Sequence, residues 1–284
     1  MTVPILDRSI TDPACLDLRR RAERDGVNCA DNLPFLLGPE HAENAVLLVH
    51  GFTASPWEMR LVAEYLASHG LAALAVRLPG HGTSPQDLAR QRWEEWLEAV
   101  HYGCLILRGK HERLFALGMS TGCLLLIADA LQNRYDGLIL CAPYLRIRHR
   151  LAGYAGWLRW LLPYHGKAGT SACQHYYDRR PVAGVHQINR LIGFLRPRLG
   201  GCTAPTLAFN SEGDRTIVNE TGRELIGRLG SRLKTHICYG PEVPHMLVRE
   251  ENRLHLEMFE LIGTFIAELS HPGNRLPPGY NKGG

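Results

Sequence analysis

The stretch Leu114-Phe115-Ala116-Leu117-Gly118-Met119-Ser120-Thr121-Gly122-Cys123-Leu124-Leu125-Leu126 constrains this chain more than any other. A short apolar run ends in Gly-x-Ser-x-Gly, and a second apolar run of helical length follows. Strand, sharp turn and helix is the context in which that pentapeptide lifts a serine hydroxyl clear of a sheet as a nucleophile. Gly118 and Gly122 carry no Cβ, so strand and helix can close around the turn. The pentapeptide alone is short enough to occur by chance, and Ser120 would then be an ordinary turn serine. What separates the two readings lies elsewhere in the chain.

A serine hydroxyl is a weak nucleophile at neutral pH and needs a general base oriented by an acid. In a strand–elbow–helix setting the partners follow in the order Ser, Asp/Glu, His. Residues 204–210 read as a buried strand, and Ser211-Glu212-Gly213-Asp214 as the loop leaving it. Residues 234–239 read as another strand, followed by Gly240-Pro241-Glu242-Val243-Pro244-His245. Asp214 and His245 therefore fall just past strand ends, at the sheet edge where Ser120 emerges and where open α/β sheets build their sites. Among fourteen histidines the competitors are His50 and His81, which precede the serine in glycine-rich turns and read as packing beneath the site. His236 and His255 sit in strand and helix patterns and read as packing positions. For the acid, Glu212 shares the loop of Asp214 and Glu242 stands three residues before His245; Asp214 is favoured.

Negative charge developing on the tetrahedral intermediate requires preorganised donors. One is the backbone N–H after the nucleophile, here Thr121. The second is placed at Phe52, where the apolar run Ala45–Val49 breaks at His50-Gly51. Ser55, Pro56 and Glu58 then read as a capping box opening the next helix.

Taken together, His50-Gly51-Phe52-Thr53, Leu78-Pro79-Gly80-His81-Gly82-Thr83-Ser84, Gly118-Met119-Ser120-Thr121-Gly122, Asp214 and His245 resemble the α/β-hydrolase fold. Within it they resemble most the bacterial carboxylesterase and monoacylglycerol lipase group, from about Asn44 to about Leu269. The resemblance implies a catalytic triad of Ser120, Asp214 and His245, with oxyanion donors at Phe52 and Thr121. Two departures stand out. The elbow reads Met-Ser-Thr-Gly where the family usually has a methionine after the serine, and the first forty residues lack a clear opening hairpin.

Candidate β segments alternate with helical ones, which is the signature of a mostly parallel, doubly wound sheet. Strands are expected at 45–50, 71–77, 113–118, 137–142, 204–210 and 234–239, and helices near 56–69, 87–107, 121–133, 218–229 and 246–269. About sixty residues separate Cys141 from Pro205, too many for one crossover, so 145–198 is expected to be a helical cap inserted into a core of 41–144 and 199–270. Residues 1–40 form an N-terminal extension with a short charged helix, and 271–284 a disordered tail. The apolar stretch Leu151–Pro163 is a candidate pocket roof, with Trp157, Leu158 and Leu161 as substrate-binding residues; Trp157 and Trp160 could equally bind the cap to the core.

A formal net charge of +4 gives no case for a nucleic-acid partner, and the cluster Arg146–Arg150 reads as a solvated helix face. Eight cysteines show no Cys-x-x-Cys spacing, and Cys104, Cys123, Cys141 and Cys238 sit in apolar patterns that suit reduced core thiols. No basic-then-apolar leader and no run of about 18 apolar residues is present. The chain is thus expected to be a cytoplasmic enzyme without stable membrane insertion, using no metal and no organic cofactor. Its expected reaction is hydrolysis of small-molecule carboxylic esters with short to medium acyl chains, monoacylglycerols included. Thioesterase, amidase or peptidase, and C–C hydrolase remain alternatives on the same triad, as does a non-catalytic binding protein.

Overall fold

A computed structural model describes residues 5–27, 29–166 and 175–270. The predicted tail 271–284 lies outside them. Helix α1 (Pro13–Arg24) and the short strand β1 (Phe35–Leu37) come first. Then follow β2 (Asn44–Val49), α2 (Arg60–Ser68), β3 (Ala72–Val76), α3 (Pro85–Leu88), α4 (Trp93–Arg108), β4 (Arg113–Met119), α5 (Thr121–Asp129) and β5 (Gly137–Cys141). The insertion carries α6 (Ala155–Leu158), the two-residue pair β6 (Tyr164–His165) and β7 (Arg180–Pro181), and α7 (Val182–Leu195). β8 (Thr206–Ser211), α8 (Asn219–Arg228), β9 (Lys234–Tyr239) and α9 (His255–Ser270) complete the chain.

Seven strands form one sheet in the order β1-β3-β2-β4-β5-β8-β9, parallel except for β1. Its central strands are covered on both faces, which explains why Val46-Leu47-Leu48-Val49 and Leu138-Ile139-Leu140 run apolar without alternation and are buried throughout. α4 packs with α5 over one face, and α2 with α9 over the other. This is the doubly wound architecture the alternation implied.

The differences from expectation have local causes. β1 pairs antiparallel with β3 (Phe35 opposite Ala75), and Asp7 bridges Leu37, so the N-terminal region supplies the edge strand that its sequence did not advertise. A three-residue strand is too short to show periodicity. The helix foreseen from 87 splits, because Ser84 accepts the Asp87 N–H to cap one helix while Glu95 accepts the Arg92 N–H to start the next. The last helix starts at His255 because buried Asn252 donates to the Leu247 carbonyl and accepts from Leu254 N–H, satisfying backbone groups outside a helix. Arg146–Arg150 is not helical: Arg148 N–H donates to the Thr216 carbonyl and Val218 N–H to the Arg146 carbonyl, in a short bridge. Cys15, Cys104, Cys123, Cys141 and Cys202 are buried free thiols; Cys238 is free but exposed on edge strand β9, and Cys29 is disulfide-bonded. Among the described residues no helix is long and apolar enough to cross a membrane.

Close approach is sharpest at the elbow. A Cβ on Gly118 would lie 2.6 Å from the Gly122 carbonyl carbon, and one on Gly122 would collide with the Val49 carbonyl oxygen and come within 2.9 Å of that of His50. Backbone cannot yield as a flexible side chain does. Gly122→Ala should therefore cost at least about 2–3 kcal/mol of stability, seen as a drop in thermal melting temperature. Gly227→Ala, on α8 with nothing near its Cβ, is the matched control and should be neutral or slightly stabilising.

Candidate active site

Ser120 sits between β4 and α5 with φ +53°, ψ −111°, a backbone conformation that a side-chain-bearing residue rarely adopts. It holds because its N–H donates to the Cys141 carbonyl at 2.7 Å and the flanking glycines let β2 and α5 close around it. The hydroxyl is directed to His245: Nε2 stands 3.1 Å from Ser120 Oγ. On the other side of the ring, Nδ1 hydrogen-bonds Asp214 Oδ2. Asp214 is buried, and its second oxygen accepts the N–H groups of Thr216 (2.7 Å) and Ile217 (3.1 Å). Nδ1–H donating to a carboxylate leaves Nε2 as the acceptor for the serine proton, the tautomer a general base requires.

The competitors fall elsewhere. Glu212 and Glu242 are exposed, and neither bonds His245. His50 is fully buried; Nδ1–H donates to the Gly51 carbonyl (2.9 Å) and Nε2 accepts Leu78 N–H (3.2 Å). His81 packs edge-on against it, with ring centroids 5.0 Å apart. Burial pushes the His50 pKa down to about 4 and that of His81 well below the usual histidine range. Both are uncharged props beneath the site. His236 bonds Asn210 Oδ1 and His255 the Asn252 carbonyl, both packing roles.

Thr121 N–H opens α5, where a helix leaves its first donors unpaired, and neither it nor Phe52 N–H has a protein partner among the described residues. The capping box expected at Ser55 is absent. Ser55 Oγ donates instead to Asn32 Oδ1 (2.7 Å), residues 56–59 form a 3₁₀ turn, and Glu58 Oε2 accepts Gly51 N–H at 2.7 Å. The glutamate thus pins the loop that carries Phe52.

A cavity of about 300 Å³ opens over the serine, lined by Phe52, Thr121, Ile147, Ile188, Ile217 and His245 among others. Trp157, Leu158 and Leu161 do not line it. Trp157 and Leu161 are 67% and 68% exposed. Apolar character alone could not separate a wall residue from a surface one there. The wall comes from α7 through Val185 and Ile188, and from Ile147 at the start of the insertion. α7 sits tightly on the loop after β2: a Cβ on Gly184 would lie 2.5 Å from Phe52 Cζ.

Residues 40–175 match a family profile described as serine aminopeptidase, S33. Over 200 residues the chain is 30% identical to a thermostable monoacylglycerol lipase of Bacillus sp. (strain H-257), covering 66% of this chain and 79% of that protein. The chain belongs to the α/β-hydrolase esterase and monoacylglycerol lipase group. A carboxylesterase of Bacillus subtilis (strain 168) is 24% identical over 229 residues, 78% of this chain and 92% of the relative. Among solved structures, one of the metagenome-derived lipolytic enzymes LipS and LipT superposes with a TM-score of 0.76 at 22% identity, over 85% of this chain and 99% of that one. The protein is an ester hydrolase of this fold.

His50 is depressed below its unfolded value near 6.5, so its contribution to stability is present above pH 6.5 and is lost as pH falls towards about 4. The melting temperature should decline across that window, and His50→Asn, though less stable throughout, should show a shallower decline.

Proposed function

We propose that this protein cleaves carboxylic esters by acyl transfer through a covalent Ser120 acyl-enzyme. The observation carrying this reading is the continuous hydrogen-bonded chain Asp214–His245–Ser120 opening onto a mostly apolar cavity. His245 Nε2 takes the serine proton as Oγ attacks the ester carbonyl. Asp214 stabilises the imidazolium that forms. The free N–H groups of Phe52 and Thr121 receive the oxyanion, a contribution worth about 2.7–4 kcal/mol per donor in such sites. His245 then protonates the departing alkoxide and activates the water that releases the acid. Every proton and charge in this sequence is handled by the chain's own groups, without metal or organic cofactor.

The substrate class we propose is short to medium acyl esters, monoacylglycerols included, supported by the apolar walls and by the names of the relatives. Residues 145–198 act as a cap in this reading, with α7 as the wall for the acyl chain. We further propose a cytoplasmic location, supported by the five buried free thiols; the disulfide at Cys29 runs against it, and cell fractionation decides.

Ser120→Ala should abolish hydrolysis of a p-nitrophenyl ester while leaving the melting temperature near that of the wild type. Asp214→Asn should lose about 10⁴-fold in kcat because the imidazole tautomer is reversed, whereas Glu212→Gln should lose little. Comparable losses at both acids would remove Asp214 from its role. A wild type that prefers a matched thioester or amide would reassign the leaving group and keep the triad.

Enlarging the α7 wall with Ile188→Trp should shift preference towards shorter acyl chains across a p-nitrophenyl series, raising KM for long chains and sparing acetate. Trp157→Ala should leave that profile unchanged, since its ring faces solvent. The opposite pattern would return the acyl site to the Trp157 turn.

A further inference from the structure

Glu58 is the buried acidic group at the cavity that the steps above leave without a chemical role. Its side chain is 3% exposed, yet it lines the same cavity as Ser120 and His245. A Cβ placed on Gly51 would lie 3.4 Å from Glu58 Oε2 and 3.5 Å from Ser120 Cβ, so the carboxyl sits one residue's width from the nucleophile. Oε2 is occupied by Gly51 N–H, and the neighbour of the carboxyl on the cavity side is Tyr176. The buried Tyr176 hydroxyl lies close enough to interact with the Glu58 carboxyl but makes no hydrogen bond of good geometry. An unfilled hydroxyl and a carboxyl with one oxygen already used therefore meet at one corner of the cavity.

The surroundings set the character of that corner. Burial raises the Glu58 pKa, outweighing the Gly51 N–H bond, His245, the Tyr176 hydroxyl and Arg249, which all favour its ionised form. A carboxyl oxygen accepts and a phenol both donates and accepts, so together they complement a neutral hydroxyl. The other buried hydroxyl pair on the wall, Thr121 and Tyr144, is already bonded to itself at 2.9 Å. Ile147, Ile188 and Ile217 offer nothing polar, and the remaining polar side chains of the lining, Thr53, Arg180 and Thr216, include no second buried acid. The corner also adjoins His245, the group that hands a proton to the departing alcohol.

We propose that Glu58 Oε1 and the Tyr176 hydroxyl form a subsite for the alcohol half of the ester, selecting an alcohol that carries a free hydroxyl beside the ester carbon, as a glycerol monoester does. This rests on the ester-hydrolase reading and names the residues that choose its leaving group. A site built to bond a hydroxyl discriminates against the analogue that lacks it, because its buried polar atoms are then left unpaired.

The test compares kcat/KM for glyceryl monocaproate and propyl caproate, which share an acyl group and differ in the alcohol hydroxyls. Wild type should prefer the glyceryl ester. In Glu58→Gln and Tyr176→Phe that preference should fall by at least about tenfold, chiefly through the glyceryl ester. Tyr176→Phe leaves the Gly51 anchor intact, so it decides the matter even if Glu58→Gln loosens the loop. Equal losses on both esters, or no wild-type preference, would overturn the subsite and leave Glu58 as a support of the Gly51 loop. A wild type inert towards both esters and towards p-nitrophenyl esters would instead overturn the ester reading and the subsite with it.

Discussion

Everything at the site depends on how closely β2, β4 and α5 approach one another. Ser120 is held at positive φ only because Gly118 and Gly122 let backbone touch backbone, with the Val49 and His50 carbonyls lying where a Cβ on Gly122 would stand. That contact does two jobs. It holds the strained serine at the cavity wall, and it brings the end of β2, with Gly51 and Phe52, alongside Ser120. Two free N–H groups and one hydroxyl are thereby gathered by a single packing event, with the strain compensated by the hydrophobic sheet on either side.

Electrostatics are layered around that contact. His50 and His81, kept uncharged by burial, prop the loop without placing positive charge beneath His245, where it would oppose the imidazolium. Asp214 is the buried acid that bonds the ring, and its second oxygen is fixed by two backbone N–H groups. Glu58 spends one oxygen on the Gly51 N–H and so joins the scaffold of the oxyanion loop to the wall of the cavity.

The insertion between β5 and β8 is tied to both halves of this machinery. Its first residues bridge the loop of the acid, with Arg148 also donating to the Asp214 carbonyl at 2.8 Å. Its later residues reach the oxyanion side: Tyr177 N–H donates to the Thr53 carbonyl, and the Tyr177 hydroxyl links Thr83 and Gly80. Phe52 meanwhile packs beneath α7. A shift of the insertion would be felt at both ends of the triad, because the same short hydrogen bonds carry it.

The positions of Ser120 and Asp214 were legible in the sequence because each follows a buried parallel strand, which announces itself as an apolar run; His245 follows β9, a half-buried edge strand whose end is marked by Gly240-Pro241. Long helices with an apolar stripe were legible for the same reason, though not their starts: Asn252 and Ser84 end or begin helices through side-chain bonds whose partners only the fold supplies. The three-residue strand β1 carries too few positions for any period. The cavity wall was decided by tertiary structure alone. Trp157, Leu161, Val185 and Ile188 are all apolar on an insertion whose orientation no local pattern encodes, and only packing of α7 onto Phe52 turns the last two inward and leaves the first two in solvent. Glu58 shows the same division: its sequence context suits a helix cap, and the proximity of Gly51, created when β2 and the elbow close together, gives its carboxyl a different partner.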